Sequence, residues 1–584
     1  MTASSPAPPD SLSTALAEAA RALDGTDPAR AERLALSVLS AAPDQATAHH
    51  ILGQARLRQG RAEEAADAFR AALDREPGGV AHLRGLARSL DISGADHAAH
   101  DAYHALLLAD PKDLRARWYG GRMLPRVYHD SAEIPLWRRR FADALGMLTA
   151  SPLETPEQAA TAVQGIGQGT NFMLSYQGED DRALQTLWGH FTHRAVAACQ
   201  PDLVAPCPPP PPVPGRTLRI GYVSEHFWSH TITLLFGHWV LRQDRDRFEV
   251  SVYLVGGPRD STTEALARNA DTVRDLRAAP VVTAARRIRD DQLDVVVFPD
   301  LGMGARSFVL AACRLAPRQC VSWGHPVTTG LPTVDVFLTS EAMEPEGAEA
   351  VYTERLVPLP RLGIHYRPAQ RTDGRRDVFG LPEGVPVYLC CQALQKYLPD
   401  QDDLFARIAT AVPDARFVFL RHRSATAANA AFLRRLESAF VARGLDPGAH
   451  LVALPWLAWE DFLRLCGVCD VFLDSIGWSG GNTTLEALAQ GAIPVTLPGP
   501  FMRGRHTMAM LRLMGLDELV ARDRNDYVAI AARLGQDREV RARLRAEVQE
   551  RRNRLYGDDG AVRALEAFYE GEQPIHGRPA TKNT

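Results

Sequence analysis

The chain lacks a long apolar run. None of its 584 residues fall in a stretch approaching the roughly 18 consecutive apolar residues of a membrane-crossing helix. Its start, MTASSPAPPDSLSTALAEAA, lacks a basic segment followed by an apolar core. Residues 1–13 therefore read as a disordered leader and not a signal peptide, with the cytoplasm as the expected location. A dominant charge is also missing. The 66 Lys and Arg residues against 70 Asp and Glu leave a net charge of -4, which gives no electrostatic reason for nucleic-acid binding. Cysteine is sparse, with eight residues. Cys466 and Cys469 form a CxxC, but no second ligand pair lies near it in sequence and it adjoins the apolar run Val471-Phe472-Leu473. Buried thiols are expected there in preference to zinc or redox chemistry. No P-loop and no GxGxxG occurs, which argues against a kinase, an ATPase or a simple dehydrogenase. The Asp244-Arg-Asp246 pair sits in a highly charged stretch before a strand start and reads as solvated surface. No catalytic metal is expected.

What is present begins with a period. Pro43, Pro77 and Pro111 recur every 34 residues. Gly60 and Gly94, Ala65 and Ala99, Ala68 and Ala102, Phe69 and Tyr103, and the set Leu39, Leu73 and Leu107 keep the same spacing. This is the tetratricopeptide pattern: helix, glycine turn, second helix, closing proline. Residues 14–111 are assigned to it. One such unit cannot bury its apolar face alone, so stacked units are expected to form a concave surface that takes part of an acceptor protein. Dimerisation or a purely structural arm is the rival reading. Residues 112–206 read as a helical bridge.

A proline run, Pro208 to Pro212 followed by Val213-Pro214, makes 207–215 a stiff linker. Short β-rich runs then alternate with helical segments. The expected strands are 218–224, 248–254, 294–298, 319–323 and 334–338, and, after a polar break, 385–390, 416–420, 451–454, 471–473 and 493–497. Alternating βαβ units imply parallel sheets covered by helices on both faces. Two such halves are expected, 216–370 and 371–570, followed by a disordered tail, 571–584. Ligands of open α/β sheets bind beyond the carboxyl ends of the strands.

The most informative loop is Asp474-Ser-Ile-Gly-Trp-Ser-Gly-Gly-Asn-Thr-Thr-Leu-Glu486. Gly480 and Gly481 remove side chains where a ligand must approach. Asn482 and Thr483 can cap the next helix and leave its N–H groups for an anion, which suits a diphosphate without a metal. Glu486, one turn on, can accept from ribose hydroxyls. Lys396, in the loop Cys391 to Pro399, can offset charge on a leaving group. His230, at the end of Ser224-Glu-His-Phe-Trp-Ser-His230, is a candidate acid, base or donor. Trp323-Gly-His-Pro-Val-Thr-Thr-Gly330, with His325, Pro326, Thr328 and Thr329, can line a sugar or acceptor site. Asp300-Leu-Gly-Met-Gly304 is a further loop of this kind. For each, an ordinary turn is the plain alternative.

Five segments in order, LRIGYVSEHFWSH, RLAPRQCVSWGHPVTTGLPTVDVFL, CCQALQKYLP, DVFLDSIGWSGGNTTLEALAQGAIPVTLPG and RGRHTMAMLRLMGLDELVARDRNDYVAIAARLGQD, resemble the O-linked N-acetylglucosamine transferase family, including its SPINDLY-like and bacterial members. The resemblance covers about residues 216–570 and the repeats. It implies a GT-B fold (two Rossmann-like α/β domains) behind an all-α tetratricopeptide domain. It also implies an inverting transfer, a UDP-sugar donor, and neither metal nor other cofactor. By position, it gives His230 the active-site histidine and Lys396 the diphosphate lysine. Thr483 and Thr484 take the phosphate-binding pair. Glu486 takes the ribose position, if one residue is missing between it and the pair. Leu457 falls where main chain meets uracil, Phe462 where a ring packs on the base, and Arg505 on an arginine after the PG turn. Asn482 and Asp294 depart from the family's histidines. The expected reaction moves a sugar, N-acetylglucosamine first, to Ser or Thr of a protein. Flagellin or adhesin modification with another sugar or at Asn, a non-catalytic repeat scaffold, and an epimerase-like enzyme are the alternatives.

Overall fold

The computed structural model describes residues 9–209 and 215–571. Residues 1–8 of the expected leader, 210–214 of the proline linker and 572–584 of the expected tail lie outside the described residues. The leader reading stops early, because a helix opens at Pro9, a position where proline's missing N–H costs nothing.

Contacts divide the chain into two compact units: Met1–Leu145 with Ala393–Asp400 and Arg421–Ser438, and Gly146–Gln392 with Gln401–Leu420 and Ala439–Thr584. The boundaries expected at 111 and 370 therefore do not coincide with the division. The helical unit recruits two pieces of the second α/β half.

The first unit contains three helical hairpins: Pro9–Asp24 with Pro28–Ala41, Ala46–Arg58 with Ala62–Arg75, and Val80–Ser93 with Asp96–Ala109. The second helix of each hairpin ends two residues before Pro43, Pro77 or Pro111. The repeated aromatic is a packing knob. Phe69 is 1% exposed, and a Cβ added at Gly53 or Gly85 would lie 2.8 or 2.4 Å from its ring. Burying such a ring contributes about 1.5–3 kcal/mol. At the third repeat, a Cβ on Gly94 would meet the Cβ of Ala428 at 2.7 Å, so the turn glycine also admits the recruited helix. Arg435 fastens this join: its Nη1 donates to the Tyr128 carbonyl at 2.7 Å and its Nη2 to the Tyr397 carbonyl at 2.6 Å.

The second unit carries two parallel sheets. The first contains β1 (Leu218–Ser224), β2 (Phe248–Leu254), β3 (Thr272–Asp275), β4 (Val295–Phe298), β5 (Arg318–Ser322), β6 (Val336–Ser340) and β7 (Arg355–Leu359), ordered β3-β2-β1-β4-β5-β6-β7. The second contains β8 (Val387–Cys390), β9 (Arg416–Leu420), β10 (Leu451–Leu454), β11 (Val471–Leu473) and β12 (Pro494–Val495), ordered β10-β9-β8-β11-β12. Both orders step outward from the first strand and then reverse, which creates a crevice at the strands' carboxyl ends. Central strands such as β4 are buried on both faces, as helix-covered parallel sheets require. The chain's last described helix, Asp559–Tyr569, returns to the first sheet: Tyr569 Oη lies 3.1 Å from Tyr222 Oη. The expected second half, 371–570, thus loses its end to the first. No helix among the described residues is long and apolar enough to cross a membrane.

Candidate active site

The glycine loop follows β11 and is tied down from inside. Asp474 accepts from the Gly480 N–H at 2.7 Å, Ser479 Oγ at 2.6 Å and Thr496 Oγ1 at 2.7 Å. The helix Asn482–Ala489 starts next, and Gly481 precedes it without a side-chain cap. Asn482 and Thr483 are therefore helical residues and not caps. The first-turn N–H groups, which helix geometry leaves without an intrahelical acceptor, face out of the helix end. Gly480 is obligatory here. A Cβ would meet Thr484 Oγ1 at 2.4 Å, Gln392 Nε2 at 2.5 Å and Thr483 Oγ1 at 2.9 Å. Gln392, just after β8, donates to Thr483 Oγ1 at 2.9 Å and holds that hydroxyl at the tip. The threonine pair divides: Thr484 is fully buried, with its hydroxyl 2.8 Å from Thr507 Oγ1.

Behind the tip, Asn482 Oδ1 accepts from Tyr366 Oη at 2.8 Å. Glu486 is 3% exposed and accepts from Trp459 Nε1 at 2.6 Å. Burial pushes its carboxyl above the usual range. Phe462 is not a base platform. It sits 9% exposed in the core cluster with Leu389, Phe472 and Cys466, and the half-buried Leu457 packs against the same cluster. The exposed rings beside it are Trp456 and Trp459, 54% and 48% exposed. Arg505 spends its guanidinium on the Met343 carbonyl at 3.0 Å and the Gly499 carbonyl at 3.3 Å. Lys396 belongs to the helical unit, half-buried in the turn Leu394–Lys396, four residues past Gln392 in sequence.

Across the crevice, the helix Thr231–Leu241 follows β1 and packs against Asn482–Ala489. His230 caps it, its Nδ1 accepting the Ile232 N–H at 3.2 Å. Burial and the neighbouring His226 lower His230 to about 4. The rings of the two histidines stack at 4.6 Å. His226 is held differently. Its Nδ1 lies 2.5 Å from Oδ2 of Asp300, which is fully buried and also accepts from Ser224 Oγ at 2.8 Å. Burial alone would lower His226, but the Asp300 carboxylate outweighs it and raises the pKa. A carboxylate on Nδ1 fixes the tautomer and leaves Nε2 as an acceptor.

The 325–330 loop is packing. His325 is 2% exposed, and burial lowers it to about 3. Pro326 is buried as well. Thr328 Oγ1 donates to Glu354 at 2.7 Å, and the Thr329 N–H and hydroxyl go to the same carboxylate. Gly330 lies against the Arg182–Cys199 helix, where a Cβ would be 2.0 Å from the Gln185 carbonyl. These residues present no free hydroxyl to a sugar. Asp294, where the resemblance places a histidine, pairs with Arg216 at 2.8 Å. Cys466 and Cys469 are free, buried thiols. The sequence pointed to the Asp300 loop without giving Asp300 itself a role, and His226 and Trp459 were not singled out. The first two had a signal, since each stands in a loop directly after a strand, but nothing in sequence joined them.

Two Rossmann-like parallel sheets, with the helix after β1 packed on the helix that follows the glycine loop, define the GT-B architecture. The model for glycosyl transferase family 41 matches residues 210–365 and 367–556, and the chain belongs to that family. A solved structure of a point variant of the Thermobaculum terrenum O-GlcNAc transferase is 27% identical, with a TM-score of 0.69, and the match covers 97% of this chain and 98% of that one. A Solanum lycopersicum protein named "Probable UDP-N-acetylglucosamine--peptide N-acetylglucosaminyltransferase SPINDLY" is 28% identical over 365 residues, 61% of this chain and 39% of its own length. A Caenorhabditis elegans UDP-N-acetylglucosamine--peptide N-acetylglucosaminyltransferase is 31% identical over 452 residues, 57% of this chain and 38% of its own. The chain spans about two fifths of the length of these curated relatives.

Proposed function

We propose that this chain transfers N-acetylglucosamine from a UDP-sugar to Ser or Thr of an acceptor protein, with inversion and without a catalytic metal or other cofactor. The observation that carries the reading is the helix tip at Asn482, cleared by Gly480 and left without a side-chain cap. Such a tip binds a diphosphate through backbone N–H groups and the helix dipole, which is work a metal does elsewhere. Thr483 adds a hydroxyl, and Lys396 adds the positive charge that the departing UDP requires. Trp459, braced by Glu486, offers the base an exposed ring. The relatives' names support the sugar and the peptide acceptor.

In the proposed step the acceptor hydroxyl oxygen bonds to the anomeric carbon as the bond from that carbon to the diphosphate oxygen breaks. The electron pair leaves with UDP. The hydroxyl proton passes to His226 Nε2, and Asp300 stabilises the imidazolium. His230, kept neutral, orients donor or acceptor. The repeats contribute acceptor binding.

The test is intact-mass analysis of a co-expressed acceptor protein with UDP-N-acetylglucosamine present. One N-acetylhexosamine increment on Ser or Thr, absent in Lys396→Ala, is expected. A different increment, or attachment at Asn, would refute the sugar or linkage assignment, and an unmodified acceptor would refute the transfer.

A further inference from the structure

The last repeat carries a cluster that the transfer chemistry does not use. His97 lies in the first turn of the helix Asp96–Ala109, His129 in the following connector, and Glu133 opens the helix Glu133–Thr149. His97 Nε2 is 3.3 Å and His129 Nδ1 3.0 Å from the same Glu133 oxygen. The two imidazoles stack at 4.4 Å between centroids. One donor atom from each residue lies within 4.8 Å of the other two.

We propose that His97, His129 and Glu133 form a binding site for a first-row divalent cation, Zn²⁺ foremost, that staples the last repeat helix to the connector after it.

Four observations support it. Two imidazoles and a carboxylate are a zinc-type donor set. Tetrahedral ligands at about 2.0–2.2 Å from zinc stand about 3.3–3.6 Å apart, and the 3.3 and 3.0 Å spacings of the two histidines to Glu133 already lie close to this range. The support is already built: Glu133 Oε2 accepts the His129 backbone N–H at 2.9 Å, and the edge of Trp137 meets the His97 ring at 5.1 Å. Such outer contacts fix the orientation of ligands. Finally, the His129 side chain is 60% exposed while those of His97 and Glu133 are 33% and 22% exposed, which gives the ion an entry side and room for a water as fourth ligand. The consequence is mechanical. His97 comes from the repeats and Glu133 from the helix Glu133–Thr149, so cation affinity becomes stability of the junction.

The test uses the full chain, stripped with EDTA and titrated with ZnCl₂ by calorimetry, beside His129→Asn and Glu133→Gln. Both substitutions fall at partly exposed positions, and circular dichroism checks their folding. The expected result is one Zn²⁺ per chain, with affinity reduced at least tenfold in each variant. Zinc should also raise the thermal midpoint of the parent chain and not of the variants. Cobalt in place of zinc should give visible d–d absorption that both variants lose. The chain has 18 histidines, so the comparison with the variants decides. No zinc bound at micromolar concentration, or affinity unchanged in either variant, overturns the site.

Discussion

The repeats and the donor loop use glycine to opposite ends. In the repeats, Gly53 and Gly85 make room for Phe69, and the space they leave is filled from within the fold. After β11, Gly480 makes room beside Thr483, Thr484 and Gln392, and what it clears is the mouth of a helix whose first N–H groups have no partner in the helix. One clearance admits an aromatic ring to a core, and the other admits three polar side chains to a helix tip. A glycine's purpose is read from what its missing Cβ would strike: a hydrocarbon ring marks apolar packing, and a cluster of polar side chains marks a polar junction.

The comparison breaks most visibly at Gly480. Gly480→Val should abolish transfer and UDP-sugar hydrolysis in a chain that remains folded by circular dichroism. Displacing two or three hydrogen bonds to a charged diphosphate costs roughly 1.5–3 kcal/mol each, or at least about a hundredfold in affinity. Lys396→Ala comes next and should lower kcat by roughly 10²–10³ with the fold intact, read by single-turnover kinetics. Asp300→Asn should lower kcat by roughly tenfold to a hundredfold while leaving KM for the donor nearly unchanged. The pH profile gives it a signature. The Asp300 carboxylate raises the His226 pKa, so activity that needs neutral His226 fails on the acid side above the ordinary histidine range. Removing the carboxylate should move that acid limb to lower pH. Gly85→Val sharpens the other side of the comparison. It overpacks Phe69 at a cost of about 1–3 kcal/mol and should lower the first thermal midpoint by about 2–12 °C, with UDP binding untouched. EDTA should have the smallest effect on chemistry: hydrolysis of the UDP-sugar stays constant, even where chelation lowers the thermal midpoint by emptying the site at His97.

The same contrast explains what the sequence made legible. The central strands β1, β2 and β4 are buried apolar runs and could be read directly. β3 (TVRD) and β7 (RLVPL) are the two edges of the first sheet. They are half-exposed and carry charges or a proline, so their pattern resembles a loop. The glycine loop was legible because its chemistry is local. The His226–Asp300 pair was not, because 74 residues separate its members and only the pairing of β1 with β4 joins them. Thr328 and Thr329 misled for the same reason, since their partner Glu354 lies about 25 residues on. The recruitment of Ala393–Asp400 and Arg421–Ser438 into the helical unit depends on a backbone approach at Gly94 that periodicity shows only as a turn.

The central claim is that the glycine-cleared helix tip at Asn482 holds the donor's diphosphate without a metal. Calorimetric titration of UDP into the full chain in EDTA, beside Gly480→Val, tests it most directly. The account predicts saturable one-to-one binding to the parent chain and none to a folded Gly480→Val. Equal UDP affinity in the two proteins, or binding only when a divalent cation is added, would contradict it.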